Sequence, residues 1–264
     1  MSGLQVTIEG IGLWTAQAGG FGELARLLDG VDPATPGTRP PAAMLPANER
    51  RRAPESVLLA AEVAGQAVAQ SGRDAAELAC VFTSSHGDQG ITDYLCATLA
   101  STPTDVSPTK FHNSVHNAPV GYWTIASGCH AASTALCAHR ESFGAGLLEA
   151  VCLVEAERRP VLLVCIDVAT SGPLTEMAGC TLAFGAAMVL APASGQQALA
   201  RLGLQLAPGH PGEVAWHAPL QAWHAGNPAA DALRLLVPLA RRAPVATAAA
   251  GPALALHMQL EYPA

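Results

Sequence analysis

Phe111-His112-Asn113-Ser114-Val115-His116-Asn117-Ala118-Pro119-Val120-Gly121-Tyr122-Trp123-Thr124-Ile125-Ala126-Ser127-Gly128 decides how the rest of the chain is read. Asn117 is of a residue type that starts helices, so a helix is predicted over Asn117–Ser127, with His112 and His116 in the loop ahead of it. A short strand, Ser133–Ala138, follows, then a turn through Leu136-Cys137-Ala138-His139-Arg140-Glu141-Ser142. The next helix is predicted over Arg140–Glu157, because Phe143, Leu147, Leu148, Val151 and Val154 share one face at helical spacing. Upstream, Leu78–Ser84 reads as a strand, Ser85-His86-Gly87-Asp88-Gln89-Gly90 as a turn, and Ile91–Leu99 as a helix. Strand, turn and helix alternating in this way is the pattern of a layered α/β domain.

The flanking segments extend that pattern. Gln5–Trp14 is rich in β-branched residues and reads as a first strand, followed by a short helix over Phe21–Leu28. Pro33–Pro46 holds five prolines in fourteen residues, which predicts an extended covering loop, and the run Glu49-Arg50-Arg51-Arg52 is assigned to the same loop. A helix over Pro54–Ser71 carries Val57, Leu58, Ala61, Ala64 and Val68 as an apolar stripe and stops at Gly72. Pro103–Thr109 is read as a loop, Val161–Ala169 and Ala183–Ala191 as strands, and Gly172-Pro173 as part of the loop between them. After Ser194 the signal weakens to strands at Leu202–Leu206 and Ala253–Glu261 around a helix at Ala229–Val237, with Val245–Leu256 read as a loop running into a strand. No internal repeat is visible.

Composition narrows the function. Of 264 residues, 50% are hydrophobic and only 13% charged, ample for a large buried core, and aromatics at 5% favour helices packed closely on a sheet through small side chains. The formal charge of −7 and a single lysine, Lys110, leave no broad cationic face for a phosphate backbone, so nucleic-acid binding is not expected. Arg50-Arg51-Arg52, Arg158-Arg159 and Arg241-Arg242 are the local basic runs, each read as a solvated helix end or loop. Seven cysteines at irregular spacing, with no C-x-x-C pair, argue against zinc ribbons and disulfide frameworks and read as buried small hydrophobes in a reducing compartment. No basic segment followed by a long apolar core opens the chain, and no window reaches the roughly 18 to 20 apolar residues of a membrane span; the expectation is a cytoplasmic protein without cofactor or metal.

The Phe111–Gly128 run resembles the segment of β-ketoacyl synthases that leads into their catalytic cysteine, an Asn-x-x-x-Gly-x-x-x-Ile-x-x-Gly helix followed by a short strand and a Thr-Ala-Cys elbow. Counting about twelve residues from Gly128 reaches Arg140, so by motif position Arg140, with neighbours Cys137 and Glu141, stands where the family keeps its nucleophile. The resemblance runs from Val6-Thr7-Ile8-Glu9-Gly10-Ile11-Gly12 to Phe184-Gly185-Ala186-Ala187-Met188-Val189-Leu190, is clear over 1–194 and divergent over 195–264. Glu49-Arg50-Arg51-Arg52, Ser84-Ser85-His86-Gly87-Asp88 and Phe111–Asn117 make it most similar to the chain-length-factor-like proteins of aryl-polyene and xanthomonadin-type pigment pathways. What it implies is a single thiolase-like domain over 1–264, a layered α/β half-fold with a mixed sheet. The second half's His-Gly-Thr-Gly-Thr and Asn-Ser-Phe-Gly-Phe-Gly-Gly motifs are not found.

The same resemblance implies a function without catalysis. Claisen condensation in this family uses a cysteine thiolate at a helix N-terminus and two histidines, and none of the three has a matching position. The implied role is a subunit that pairs with a cysteine-bearing ketosynthase, meets an acyl carrier protein only indirectly, and forms a homodimer when alone; Ser133–Ala138 would pair across a pseudo-twofold interface. Phe111, His112, Val115, His116, Asn117, Pro119, Tyr122 and Trp123 would then reach the partner's acyl tunnel and set product length. Other readings stand beside these. Arg140, expected to be buried, would need an acidic partner such as Glu141, the pair plugging the site. Cys137 on its strand, and Cys129 after the helix, read as core. Tyr122 and Trp123 could equally be helix packing, and His112 with His116, four apart, a metal pair lacking a third ligand. Ser84, His86 and Asp88 supply the side chains of a hydrolase triad but lie too close on one turn, and a turn capping the next helix accounts for them. The alternative function is an acyltransferase or thioesterase using Cys137 or Ser84.

Overall fold

A computed structural model describes residues 3–32, 37–170, 172–193 and 198–263. Its first half runs β1 (Leu4–Thr15), α1 (Phe21–Leu28), α2 (Ala47–Arg52), α3 (Glu55–Ser71), β2 (Ala79–Thr83), α4 (Gln89–Ser101), α5 (Pro108–His112), α6 (Ala118–Ser127) and β3 (Ser133–Leu136). Its second half runs α7 (Ser142–Glu157), β4 (Val161–Asp167), α8 (Thr175–Ala178), β5 (Phe184–Pro192), β6 (Ala200–Pro208), α9 (Ala218–Gly226), α10 (Leu233–Arg241), β7 (Val245–Gly251) and β8 (Leu254–Glu261). Single 3-10 turns stand at Ala75–Glu77, Pro103–Asp105, His139–Glu141 and Pro228–Ala232.

The described strands form one mixed sheet in the order β3-β2-β4-β5-β1-β6-β8-β7. β3, β2 and β4 are parallel, with Phe82 opposite Ala135 on one side and Val164 on the other; every other pairing is antiparallel. Side chains alternate across a strand, so β4 sends Leu162, Val164 and Ile166 to one face and Val161, Leu163 and Cys165 to the other. α3 covers the first face through Leu59, Val63, Ala64 and Ala67; α7 covers the second through Phe143, Leu147, Val151 and Val154. A strand buried on both faces reads as an unbroken apolar run, which is why β4 and β5 stand out in the sequence.

Glycine sets how closely these layers approach. A Cβ at Gly12 of β1 would stand 2.0 Å from the Val63 carbonyl oxygen of α3, and one at Gly144 of α7 would stand 1.9 Å from the Ala249 carbonyl oxygen of β7.

Several boundaries differ from the sequence reading for identifiable reasons. Residues 33–36 of the proline-rich segment lie outside the described residues, as does the boundary at Ser194. The arginine run is not loop: arginine is a good helix former, and Arg50, Arg51 and Arg52 close α2 where the helix dipole favours cations. Pro103–Thr109 contains a 3-10 turn and the start of α5, which Ser107 caps and Pro108 opens, and His112 is the last residue of that helix rather than part of a loop. Gly251 and Pro252, read as ending a loop, stand at the tight turn of a hairpin whose first arm is the alanine-rich β7. α9 had no sequence counterpart.

Candidate functional site

Parallel strands bring their carboxyl ends to one edge of the sheet, and there β2, β3 and β4 release Ser84, Cys137 and Asp167 side by side. The buried carboxylate organises the cluster. Asp167 Oδ1 accepts hydrogen bonds from the Ser84 hydroxyl at 2.8 Å and the Ser85 N–H at 2.9 Å. Asn227 Nδ2 donates to the Asp167 carbonyl at 2.9 Å and to the Leu182 carbonyl at 2.8 Å, tying the C-terminal part to this edge. Burial pushes the Asp167 carboxyl up to about 6, against the opposing pull of the Ser84 and Ser85 hydrogen bonds.

The turn from β3 into α7 is equally committed. His139 adopts a left-handed backbone at φ 52, a conformation that costs a non-glycine residue energy. Ser142 Oγ accepts from the Ala138 N–H at 3.0 Å and lies 2.7 Å from the His139 carbonyl, which locks the bend. The rings of His139 and His86 meet edge to face at 4.9 Å; burial, with His139 and Arg140 nearby, lowers the His86 pKa. The strained elbow residue is therefore His139, one position before Arg140.

Arg140 itself corrects two expectations. It is exposed, and its guanidinium lies over Gly179 at the C-terminal end of α8, with Nη2 3.1 Å from where a Gly179 Cβ would stand. Among the described residues no ion pair joins it to Glu141. Cys137 is also exposed rather than core, because β3 ends at Leu136; its thiol donates to the Ser85 carbonyl at 2.7 Å. Cys96 and Cys152 are exposed too, whereas Cys80, Cys129, Cys165 and Cys180 are buried. Burial pushes the Cys80 and Cys180 thiols up to about 12.

The Ser84, His86 and Asp88 side chains diverge. Ser84 Oγ points to Asp167 and receives the Gly87 N–H at 2.9 Å, while Asp88 caps α4 by accepting the Ile91 N–H at 3.0 Å and also accepts the Ser56 hydroxyl at 2.7 Å. Among the described residues no group of three or more His, Cys, Asp or Glu side chains is placed to hold a metal ion.

A groove of about 510 Å³ opens beside this edge. Leu45, Pro46 and Glu49, around the start of α2, form one wall; His112, Val115, Asn117, Tyr122 and Ile125 are on the other. Phe111 is 65% exposed, Val115 53% and Ile125 84%. α6 explains the pattern: Val120 and Trp123 point inward, while Ala118, Tyr122, Ile125 and Ala126 give its outer side an apolar character as well. A helix apolar all round is ordinarily a covered helix. The predicted residues thus divide. His112, Val115, Asn117 and Tyr122 line the groove, Phe111 stands exposed on α5, and Pro119 is half-buried. His116 turns toward the elbow, its Nε2 3.4 Å from the Ser84 carbonyl, and Trp123 is fully buried in the core beneath α3, outside any surface role. Asp167, Asn227 and Ser142 were missed; the signal for Asp167 was one carboxylate ending an otherwise apolar strand.

The beta-ketoacyl synthase N-terminal domain profile matches residues 30–225. The chain belongs to this family. Its fold is accordingly the thiolase-like fold of ketosynthases. A solved complex of the ketosynthase ApeO with its chain length factor ApeC from Xenorhabdus doucetiae superposes with a TM-score of 0.73 at 22% identity, over 97% of this chain and 99% of the matched one. A beta-ketoacyl synthase from Burkholderia phymatum STM815 gives 0.61 at 16% identity, over 89% of this chain and 72% of that one. The ketosynthase complex AntDE:AntF, containing a type II polyketide acyl-carrier protein, gives 0.62 at 14% identity, over 78% of this chain and 70% of that one. No curated protein matches the sequence. Among the described residues no helix is long and apolar enough to cross a membrane.

Proposed function

We propose that the protein is a noncatalytic ketosynthase-like subunit, a chain length factor, that pairs in the cytoplasm with a catalytic β-ketoacyl synthase and shapes its acyl tunnel in aryl-polyene-type biosynthesis. The observation that carries this reading is the exposure of three large apolar side chains, Phe111 of α5, Val115 between the helices and Ile125 of α6, beside the short edge strand β3. Fully covering one large apolar side chain is worth about 1.5 to 3 kcal/mol, and an open strand edge invites pairing. Phe111, Val115 and Ile125 spend that opportunity only in an assembly. Through the same face two copies would pair when the synthase is absent. Phe111, His112, Val115, Asn117 and Tyr122 are the residues that would meet the growing chain, while Arg140 would stand in place of the family's nucleophile, with Cys137 and Glu141 beside it.

A catalytic reading on Ser84 or Cys137 finds less support, since the hydrogen bonds of Ser84 Oγ and Cys137 Sγ run to Asp167, Gly87 and Ser85 and reach no imidazole among the described residues. The test is co-expression with a cysteine-bearing ketosynthase from the same locus. Co-purification as a complex that Ile125→Glu disrupts supports the proposal; separate elution of the two proteins, or thioester turnover by the isolated chain, overturns it.

A further inference from the structure

Residues 92–112 run through most of α4, a 3-10 turn and α5, yet none of them is buried. Helices in proteins draw most of their stability from packing, so a pair without one buried side chain is marginal in water. Both ends of the segment are rooted. Ile91 is 5% exposed, Asp88 accepts the Ser56 hydroxyl at 2.7 Å, and Asn113 is 4% exposed. Gly87, just ahead of the first root, takes a left-handed φ of 72. Among the described residues the only hydrogen bonds between α4 and residues 103–112 are made by Tyr94. Its hydroxyl accepts the Ser107 N–H at 3.1 Å and donates to the Asp105 carbonyl at 3.4 Å, while the Lys110 ammonium lies over its ring, 4.5 Å from the centroid. Ser107 caps α5 by accepting the Lys110 N–H, so Tyr94 also fixes where α5 begins.

We propose that residues 92–112 are an arm that opens and closes as one unit between the roots at Asp88 and Asn113, with Tyr94 as its latch. None of its residues belongs to the three hydrophobic clusters of the core, so lifting the arm exposes no core side chain. The closed position is held instead by the Tyr94 contacts, and removing the hydroxyl alone shifts the ratio of closed to open by about five- to tenfold. The arm also carries part of the groove: His112, its last residue, lines one wall, whereas Leu45, Pro46 and Glu49 of the facing wall stay with α2 and the segment before it. Opening therefore moves one wall against the other and changes the width of the groove. This motion belongs to the chain on its own and is independent of any partner.

Hydrogen–deuterium exchange, read by peptide mass on the isolated full chain, tests the arm. Amides of α4 beyond its first turn and of α5 are expected to exchange together, at least about tenfold faster than those of α3 and α7. Tyr94→Phe keeps the ring beneath Lys110 and removes only the hydroxyl. It should speed exchange across residues 92–112 by about five- to tenfold and leave α3, α7 and the thermal midpoint unchanged, and Tyr94→Ala should speed it further. Exchange in the arm as slow as in α3, or acceleration by Tyr94→Phe that is below about twofold, confined to α4, or spread evenly over the chain, overturns the hinged unit. Arm amides without protection in the parent protein dispose of the latch in the same way.

Discussion

The elbow at the carboxyl ends of β2, β3 and β4 and the outer face of α6 adjoin through His116, yet they are finished in opposite ways. At the elbow, Ser84, Ser85, Asp167, Ser142 and Asn227 bond one another, and the polar groups of the turn are held inside the fold. On α6 the outer side is only partly covered: Tyr122 and Ala126 pack against the Leu45, Val57 and Leu58 cluster, whereas Ile125 is 84% exposed. In this chain the polar groups at the ends of β2 and β4 are tied up by one another, and apolar surface remains to be covered at Ile125. Function is therefore to be sought in what covers α6.

The sharpest way to break that contrast is to mutate both sides of the same helix. Trp123→Ala removes a fully buried indole and should cost about 3–5 kcal/mol, read as a large drop in urea or thermal midpoint. Ile125→Glu, two residues on, should change stability by no more than about 0.5 kcal/mol while abolishing assembly with the synthase. Equal destabilisation by the two would mean that α6 is covered within the chain itself.

Asp167 sharpens the elbow side. Its carboxyl is raised from an ordinary 3.8 to about 6, so the native state holds the proton more tightly than the unfolded chain does. The stability this contributes is complete below about pH 4 and is lost as pH rises through about 6, a decline of about 3 kcal/mol. Asp167→Asn cannot titrate, so the difference in unfolding free energy between parent and variant should vary with pH by that amount over this window. A difference that stays constant with pH would show that the carboxylate is already charged and well solvated. Next in size, Gly144→Ala forces a Cβ to within 1.9 Å of the Ala249 carbonyl oxygen and should destabilise by about 1–3 kcal/mol by urea unfolding, through separation of α7 from β7. The smallest effect is chemical: iodoacetamide should label Cys96 and Cys137 of the isolated native chain readily, Cys152 more slowly because burial and Glu149 raise its thiol pKa, and Cys80, Cys129, Cys165 and Cys180 only after unfolding, as read by peptide mass mapping.

Legibility followed the same division. The layered fold was plain because strands covered on both faces leave apolar runs such as Val161–Ile166; α3 was legible as a helix, but it is buried on nearly every side rather than along the one stripe read for it. The groove was half legible: Phe111–Asn117 stood out, but whether Tyr122 or Trp123 faced outward depends on which side of α6 meets the sheet, which residues one position apart do not announce. The elbow was least legible. Ser84 and Asp167 are 83 positions apart, and a single carboxylate at a strand end looks like an ordinary boundary until the parallel strands bring it beside the serines. No motif announces that His139, the neighbour of Arg140, takes the left-handed conformation. Prolines and alanines misled at α2 and β7, where arginine propensity and a hairpin partner outweighed them.

The central claim is that the α5–α6 face closes another subunit's acyl tunnel, and the length of the product tests it most directly. With Val115→Ala/Tyr122→Ala in the assembled pair, the account predicts longer polyenes, seen as a shift of the pigment's absorption to longer wavelength and higher product mass. Products of unchanged length from a pair that still assembles would contradict it.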